Sequence, residues 1–76
     1  PFKGNTLIGY DLPTAGDVTL TIFDVTGKVV FVKDQESVKG YNTISVSSKD
    51  IPSVGVLYYR LDANEYSATK KMIIIE

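Results

Sequence analysis

Apolar residues recur at every second position along most of this chain, and that period admits β-strands while excluding amphipathic helices. The stretch DVTLTIFD (17–24) shows it most plainly: Val18, Leu20 and Ile22 share one face, and Thr19 and Thr21 the other. β-Branched threonines suit a pleated, half-solvated surface. TLIGYDL (6–12) places Ile8, Tyr10 and Leu12 on one face before Pro13 stops the strand and PTAGD supplies a turn. NTISVS (42–47) alternates through Ile44 and Val46. KVVFVK (28–33) is almost continuously apolar and is expected to be covered on both faces.

The punctuation agrees with this period. In DVTGK (24–28), Asp24 can accept bonds from nearby backbone amides, and Gly27 can take the left-handed conformation of a short bulged hairpin. DQESVKGY (34–41) reads as a polar loop or ragged edge. SKDIPSVG (48–55) breaks the pattern: Pro52 cannot sit at the centre of a sheet, and Ile51 is expected to plug one end of the core. VLYYRLD (56–62) and YSATKKMIII (66–75) flank Ala63-Asn64, where Asn64 tolerates positive φ, and so form a closing hairpin. Short strands at roughly 8–12-residue spacing, with no helical signal, predict an all-β fold. The expected form is a small immunoglobulin-like β-sandwich of six to seven antiparallel strands, occupying residues 1–76 as one domain.

A chain of 76 residues buries only about 60% of its unfolded surface, so the core is small. Eight basic and nine acidic residues leave a net charge of −1. No basic stripe marks a nucleic-acid or anionic-lipid surface. Cysteine and histidine are both absent, which removes Cys/His zinc sites and Ser-His or Cys-His dyads. Ser47 and Ser48 therefore lack an activating base, and Lys49 reads as a solvated loop charge. Asp11, Asp17, Asp24, Asp34, Glu36, Asp50, Asp62 and Glu65 are scattered, as turn carboxylates are, whereas a glycosidase needs two facing each other across a cleft. Calcium ligation by Asp11, Asp17 or Asp24 lacks EF-hand spacing. The expectation is no enzyme, no metal and no cofactor. The longest apolar run, MIII, is far short of the ~20 residues of a spanning helix. The opening PFKGN carries no signal peptide and reads as a fragment cut from a larger secreted protein.

Tyr58, Tyr59 and Tyr66 sit on the closing hairpin, with Tyr10 and Tyr41 elsewhere. Consecutive strand residues face opposite sides, so one of Tyr58 and Tyr59 is expected in the core and the other exposed. An exposed ring could stack on a pyranose, although cross-strand packing is the plainer role for such tyrosines. Lys70 and Lys71, beside the apolar MIII run, protect an edge strand from aggregation or belong to a recognition signal.

Four segments taken in order, PF (1–2), TLIGYDLPTAGDVTLTIFDVTGKVV (6–30), VGVLYYRL (54–61) and TKKMIII (69–75), resemble the C-terminal sorting domain of the type IX secretion system of Bacteroidetes. The resemblance runs over essentially the whole chain. Among its departures are Leu57, where an aromatic is common, and Glu76, where a basic residue is common. The resemblance implies that the domain directs a parent cargo protein, with a catalytic or adhesive region upstream, across the outer membrane and to the cell surface or medium. It implies the type IX translocon and its attachment machinery as partners. It assigns recognition to Gly55, Tyr58, Arg60, Thr69, Lys70 and Lys71, and matches Asp24 and Gly27 to the family's central turn, where their role is structural.

Two other readings stand beside it. One is a non-catalytic spacer or carbohydrate-binding module of a secreted enzyme. The other is an assembly module, since VTLTIFDVTGKVV (18–30) also resembles the immunoglobulin-like domain of flagellar hook-capping proteins. The fold alone does not separate them. An exposed terminal hairpin also leaves room for pairing of isolated copies.

Overall fold

The computed structural model describes residues 4–52 and 55–63, and for the backbone also residues 66–74. The described residues contain six strands: β1 (Asn5–Leu12), β2 (Gly16–Phe23), β3 (Val29–Ser37), β4 (Gly40–Ser47), β5 (Gly55–Ala63) and β6 (Tyr66–Ile74). They form two antiparallel sheets, one of order β1-β4 and one of order β3-β2-β5-β6. The all-β sandwich expected from the period of two is therefore present. A 3₁₀ turn, Ser48–Asp50, follows β4.

The core lies between the sheets. Val18, Leu20 and Ile22 of β2 meet Ile8 and Leu12 of β1, Ile44 and Val46 of β4, and Leu57 of β5. The alternation Ile8/Tyr10/Leu12 and Ile44/Val46 is realised in register, with Ile8 opposite Ile44. Ile51 is buried and plugs the core where the 3₁₀ turn ends. Ser47 caps that turn by accepting from the Lys49 amide.

The second half of β3 departs from expectation. DQES continues the strand to Ser37 rather than forming a loop. Nor is KVVFVK covered on both faces, since Val29 and Val32 are exposed by 52% and 55%. The reason lies in the register. Lys33, Gln35 and Ser37 stand opposite Leu20, Val18 and Gly16, on the core-facing row. There they close the sandwich with polar bonds. Lys33 Nζ donates to the Ser45 carbonyl at 3.2 Å, and Gln35 Nε2 donates to the Thr43 carbonyl at 3.0 Å and to Tyr10 Oη at 2.9 Å. Tyr10 Oη and the buried Ser37 Oγ lie 2.6 Å apart. The β3 edge is thereby stitched to β4, and inward-pointing polar groups on an edge discourage further strand pairing. After β3 the chain crosses between sheets in two residues. Asn42 holds this crossing by accepting from the Val38 amide and donating to the Val38 and Gly40 carbonyls.

The β2–β3 hairpin closes as its residues dictate. Asp24 Oδ1 accepts from the Thr26 amide, the Thr26 hydroxyl and the Lys28 amide, at 2.9, 2.6 and 3.0 Å. Gly27 has φ of +90°, a conformation costing an L-residue roughly 1–2 kcal/mol. A register shift between Ile22 and Phe23 supplies the bulge. The Thr26 hydroxyl foremost, supported by the Lys28 and Thr26 amides, holds the Asp24 carboxyl below its ordinary value of 3.8, against an opposing desolvation that is second in size to the hydroxyl's effect.

A folded pKa lowered in this way means that Asp24 stabilises the fold above the unfolded value and loses that contribution as pH falls through the folded value. Chemical denaturation should show Gly27→Ala destabilised by about 1–2 kcal/mol. Asp24→Ala should be destabilised at neutral pH, with the gap from the unsubstituted protein closing once pH drops below the ordinary carboxylate range.

Candidate functional site

β5 pairs with β2 on one side and β6 on the other, and it carries most of the described candidate residues. Tyr58, Arg60 and Asp62 stand opposite Phe23, Thr21 and Thr19 of β2, on the face directed away from the core. Tyr59 and Leu61 stand opposite Ile22 and Leu20, and both pack against the core. The two tyrosines do point to opposite sides. Neither is freely exposed, however. Tyr59 is half-buried against the core, while Tyr58 is half-buried by stacking on Phe23, with ring centroids 5.9 Å apart and planes at 21°.

Arg60 is exposed and its Nε donates to Asp62 Oδ2 at 2.8 Å. Between Val32 on β3 and Arg60 on β5, Thr21 is buried on what is otherwise the open face of the sheet. Long stems such as that of arginine cover neighbouring surface while keeping the charged head in water. The result is a row across the sheet, Val32–Thr21–Arg60, next to a second row in which Phe23 and Tyr58 stack.

β6 extends both rows. Thr69 occupies the ladder position opposite Arg60, and Lys71 the position opposite Tyr58. Four of the six candidate positions, those of Tyr58, Arg60, Thr69 and Lys71, thus form one block on adjoining strands. Lys70 is not in that block. It lies opposite Tyr59, in the alternate row of the ladder. Gly55 stands apart at the start of β5, opposite Ile74, and has φ of +98°. Backbone conformation alone accounts for a glycine there. Asp24 and Gly27 lie in the β2–β3 turn and act as turn residues. The side chains of Tyr66, Thr69, Lys70 and Lys71, and the turn at Asn64, lie outside the described residues.

β6 is the edge strand of the four-stranded sheet. One of its sides is bonded to β5 over the full span from Tyr66 to Ile74. The backbone groups on the other side have no strand partner among the described residues, the arrangement on which strand addition operates.

Sequence reasoning missed Phe23, which lies in the DVTLTIFD strand but was not assigned to either face. The β2–β5 register places it directly opposite Tyr58, where the two rings stack. The most exposed described tyrosine is Tyr41, at 67%, and it belongs to β4 rather than to the closing hairpin. Its ring lies over Gly9, where an added Cβ would collide with Tyr41 Oη.

A double-mutant cycle of Phe23→Leu and Tyr58→Leu, read by equilibrium unfolding, should give a coupling of about 0.5–1.5 kcal/mol for the stacked pair.

The family model described as the secretion system C-terminal sorting domain covers residues 1–75. No curated protein and no solved structure matches the chain.

Proposed function

The chain belongs to the family of type IX secretion system C-terminal sorting domains, and from that premise we propose that it directs a larger parent protein across the outer membrane to the cell surface or medium. Members of this family serve as sorting signals for export, which is a non-catalytic role. The observation that carries the reading is the family match over residues 1–75. It gains a physical basis from the placement of Thr69, Lys70 and Lys71 on an edge strand beside Tyr58, Tyr59 and Arg60.

In this proposal the translocon or its attachment machinery adds a strand to the open edge of β6. Backbone bonds then supply affinity, and alternate side chains supply specificity. The pairs Arg60–Thr69 and Tyr58–Lys71, adjacent along the β5–β6 ladder, are the positions that the machinery reads. Lys70 marks the alternate row, and Gly55 sets the entry of β5 into the sheet. The domain follows a catalytic or adhesive region in the parent protein.

The test is a reporter protein fused to residues 1–76 and expressed in a type IX-competent host. Removing residues 69–76 should abolish export, with the reporter retained in the periplasm. Undiminished export of the truncated fusion would overturn the proposal. Arg60→Ala should reduce export without lowering the unfolding midpoint by more than an exposed ion pair contributes, which is under about 1 kcal/mol.

A further inference from the structure

The two sheets are unequal, and the smaller one stops short. β4 lies over the β3 edge, because Lys33 Nζ and Gln35 Nε2 reach the Ser45 and Thr43 carbonyls on its outer side. β1 is on the other side of β4, toward β5. Leu7 pairs with Ser45, Ser45 is bonded to Lys33, and Lys33 and Leu61 both stand opposite Leu20. Leu7 and Leu61 are therefore at one level along the strands. Cover fades in the direction of β5. Leu20 and Ile22 of β2 are fully buried, whereas Leu61 and Tyr59, their partners on β5, are only partly so.

The small sheet ends at β1. Opposite residues of an antiparallel pair alternate between bonding each other and turning away. The Ser48 amide donates to the Gly4 carbonyl, so the even-numbered residues of β1 are those bonded to β4. The amides and carbonyls of Asn5, Leu7, Gly9 and Asp11 then point outward, where no strand pairs with them among the described residues. Lys33 and Gln35 cap the outer side of β4, and β6 holds Lys70 and Lys71. β1 has neither lysine nor proline. An edge without such protection is a template for another strand.

We infer that this edge receives the stretch of the parent protein immediately ahead of residue 1, as a third strand antiparallel to β1. The course of the chain selects this occupant. The extended run of β1 stops at Gly4, whose φ of +88° is a turn conformation, so the preceding chain enters at one end of the open edge. A strand ~4.8 Å beyond β1 lies over β5, and every second side chain of it covers Tyr59, Leu61 and Ala63. Those alternate residues are aliphatic. The sandwich is thus completed by the junction with the cargo, and the stability of the domain is coupled to that junction. This docking presupposes only that a parent chain precedes the domain, which the open reading frame shows directly. It is separate from the open edge of β6 and from export.

Two proteins are compared by amide hydrogen exchange and thermal unfolding: residues 1–76, and the same residues preceded by their native upstream sequence. About fifteen upstream residues suffice for a strand and its turn. In the longer protein the amides of Leu7, Gly9 and Asp11 should exchange about tenfold more slowly, and the unfolding midpoint should rise by about 4 °C or more. A Gly/Ser stretch of equal length should give neither effect. Leu7→Pro removes an amide turned away from β4, a loss that an edge strand tolerates. It should change residues 1–76 little and abolish the gain in the longer protein. Equal exchange in the two proteins, equal protection by the Gly/Ser stretch, or a gain that survives Leu7→Pro would overturn the assignment.

Discussion

The inner row of β2 is what the rest of this structure depends on. Val18, Leu20 and Ile22 join the buried residues of β1, β4 and β5 in one core cluster, and each is at most 1% exposed. A chain of this length has little apolar surface to bury, so the central strand must place all three of these side chains between the sheets. A slip of one residue would turn Thr19 and Thr21 inward and the aliphatic row outward. The hairpin at Asp24 and Gly27 holds that register from one end. The bonds from β3 to β4 and Tyr10 hold it from the side.

That arrangement also distributes the two edges of the four-stranded sheet unequally. On β3, Lys33, Gln35 and Ser37 face the core side and are spent on bonds to β4 and Tyr10. This edge is closed to further strands by its own side chains. The opposite edge is β6, whose outer backbone side has no strand partner among the described residues. The asymmetry follows from where the two-stranded sheet is tied down, since every bond just named runs from β3 toward β1 and β4. The outer face between the edges is neither closed nor uniformly polar, and its charges and apolar groups separate along the strand direction.

Much of this was legible in the alternation of residues. Period two, the absence of a helical pattern, and the Asp24 and Gly27 turn together imply an antiparallel all-β fold. They also identify Ile8, Leu12, Leu20, Ile22, Ile44 and Val46 as its core. The chemistry excluded by the lack of Cys and His needed no structure either. The ordered match of PF, the β1–β3 segment, VGVLYYRL and TKKMIII was enough to suggest the sorting family. Those readings succeed because turn chemistry and side-chain alternation are local properties.

What a local pattern cannot carry is which strand lies beside which, and what crosses between sheets. DQES looks like a loop because its residues are polar. It is a strand because Lys33, Gln35 and Ser37 find acceptors and donors on β4 and β1, residues distant in the chain. Val32 looks buried because it is apolar and its neighbours are too, yet β3 is an edge strand with one face open. Of Tyr58 and Tyr59 one looks exposed because consecutive strand residues face opposite sides, yet the β2–β5 register sets Phe23 beside Tyr58 and half-buries its ring. The sequence by itself thus determined the class of fold, its core rows and its family. Tertiary structure alone decided the strand order, the closed and open edges, and the grouping of Tyr58, Arg60, Thr69 and Lys71 positions apart from Lys70, because each of these depends on pairings between strands far apart along the chain.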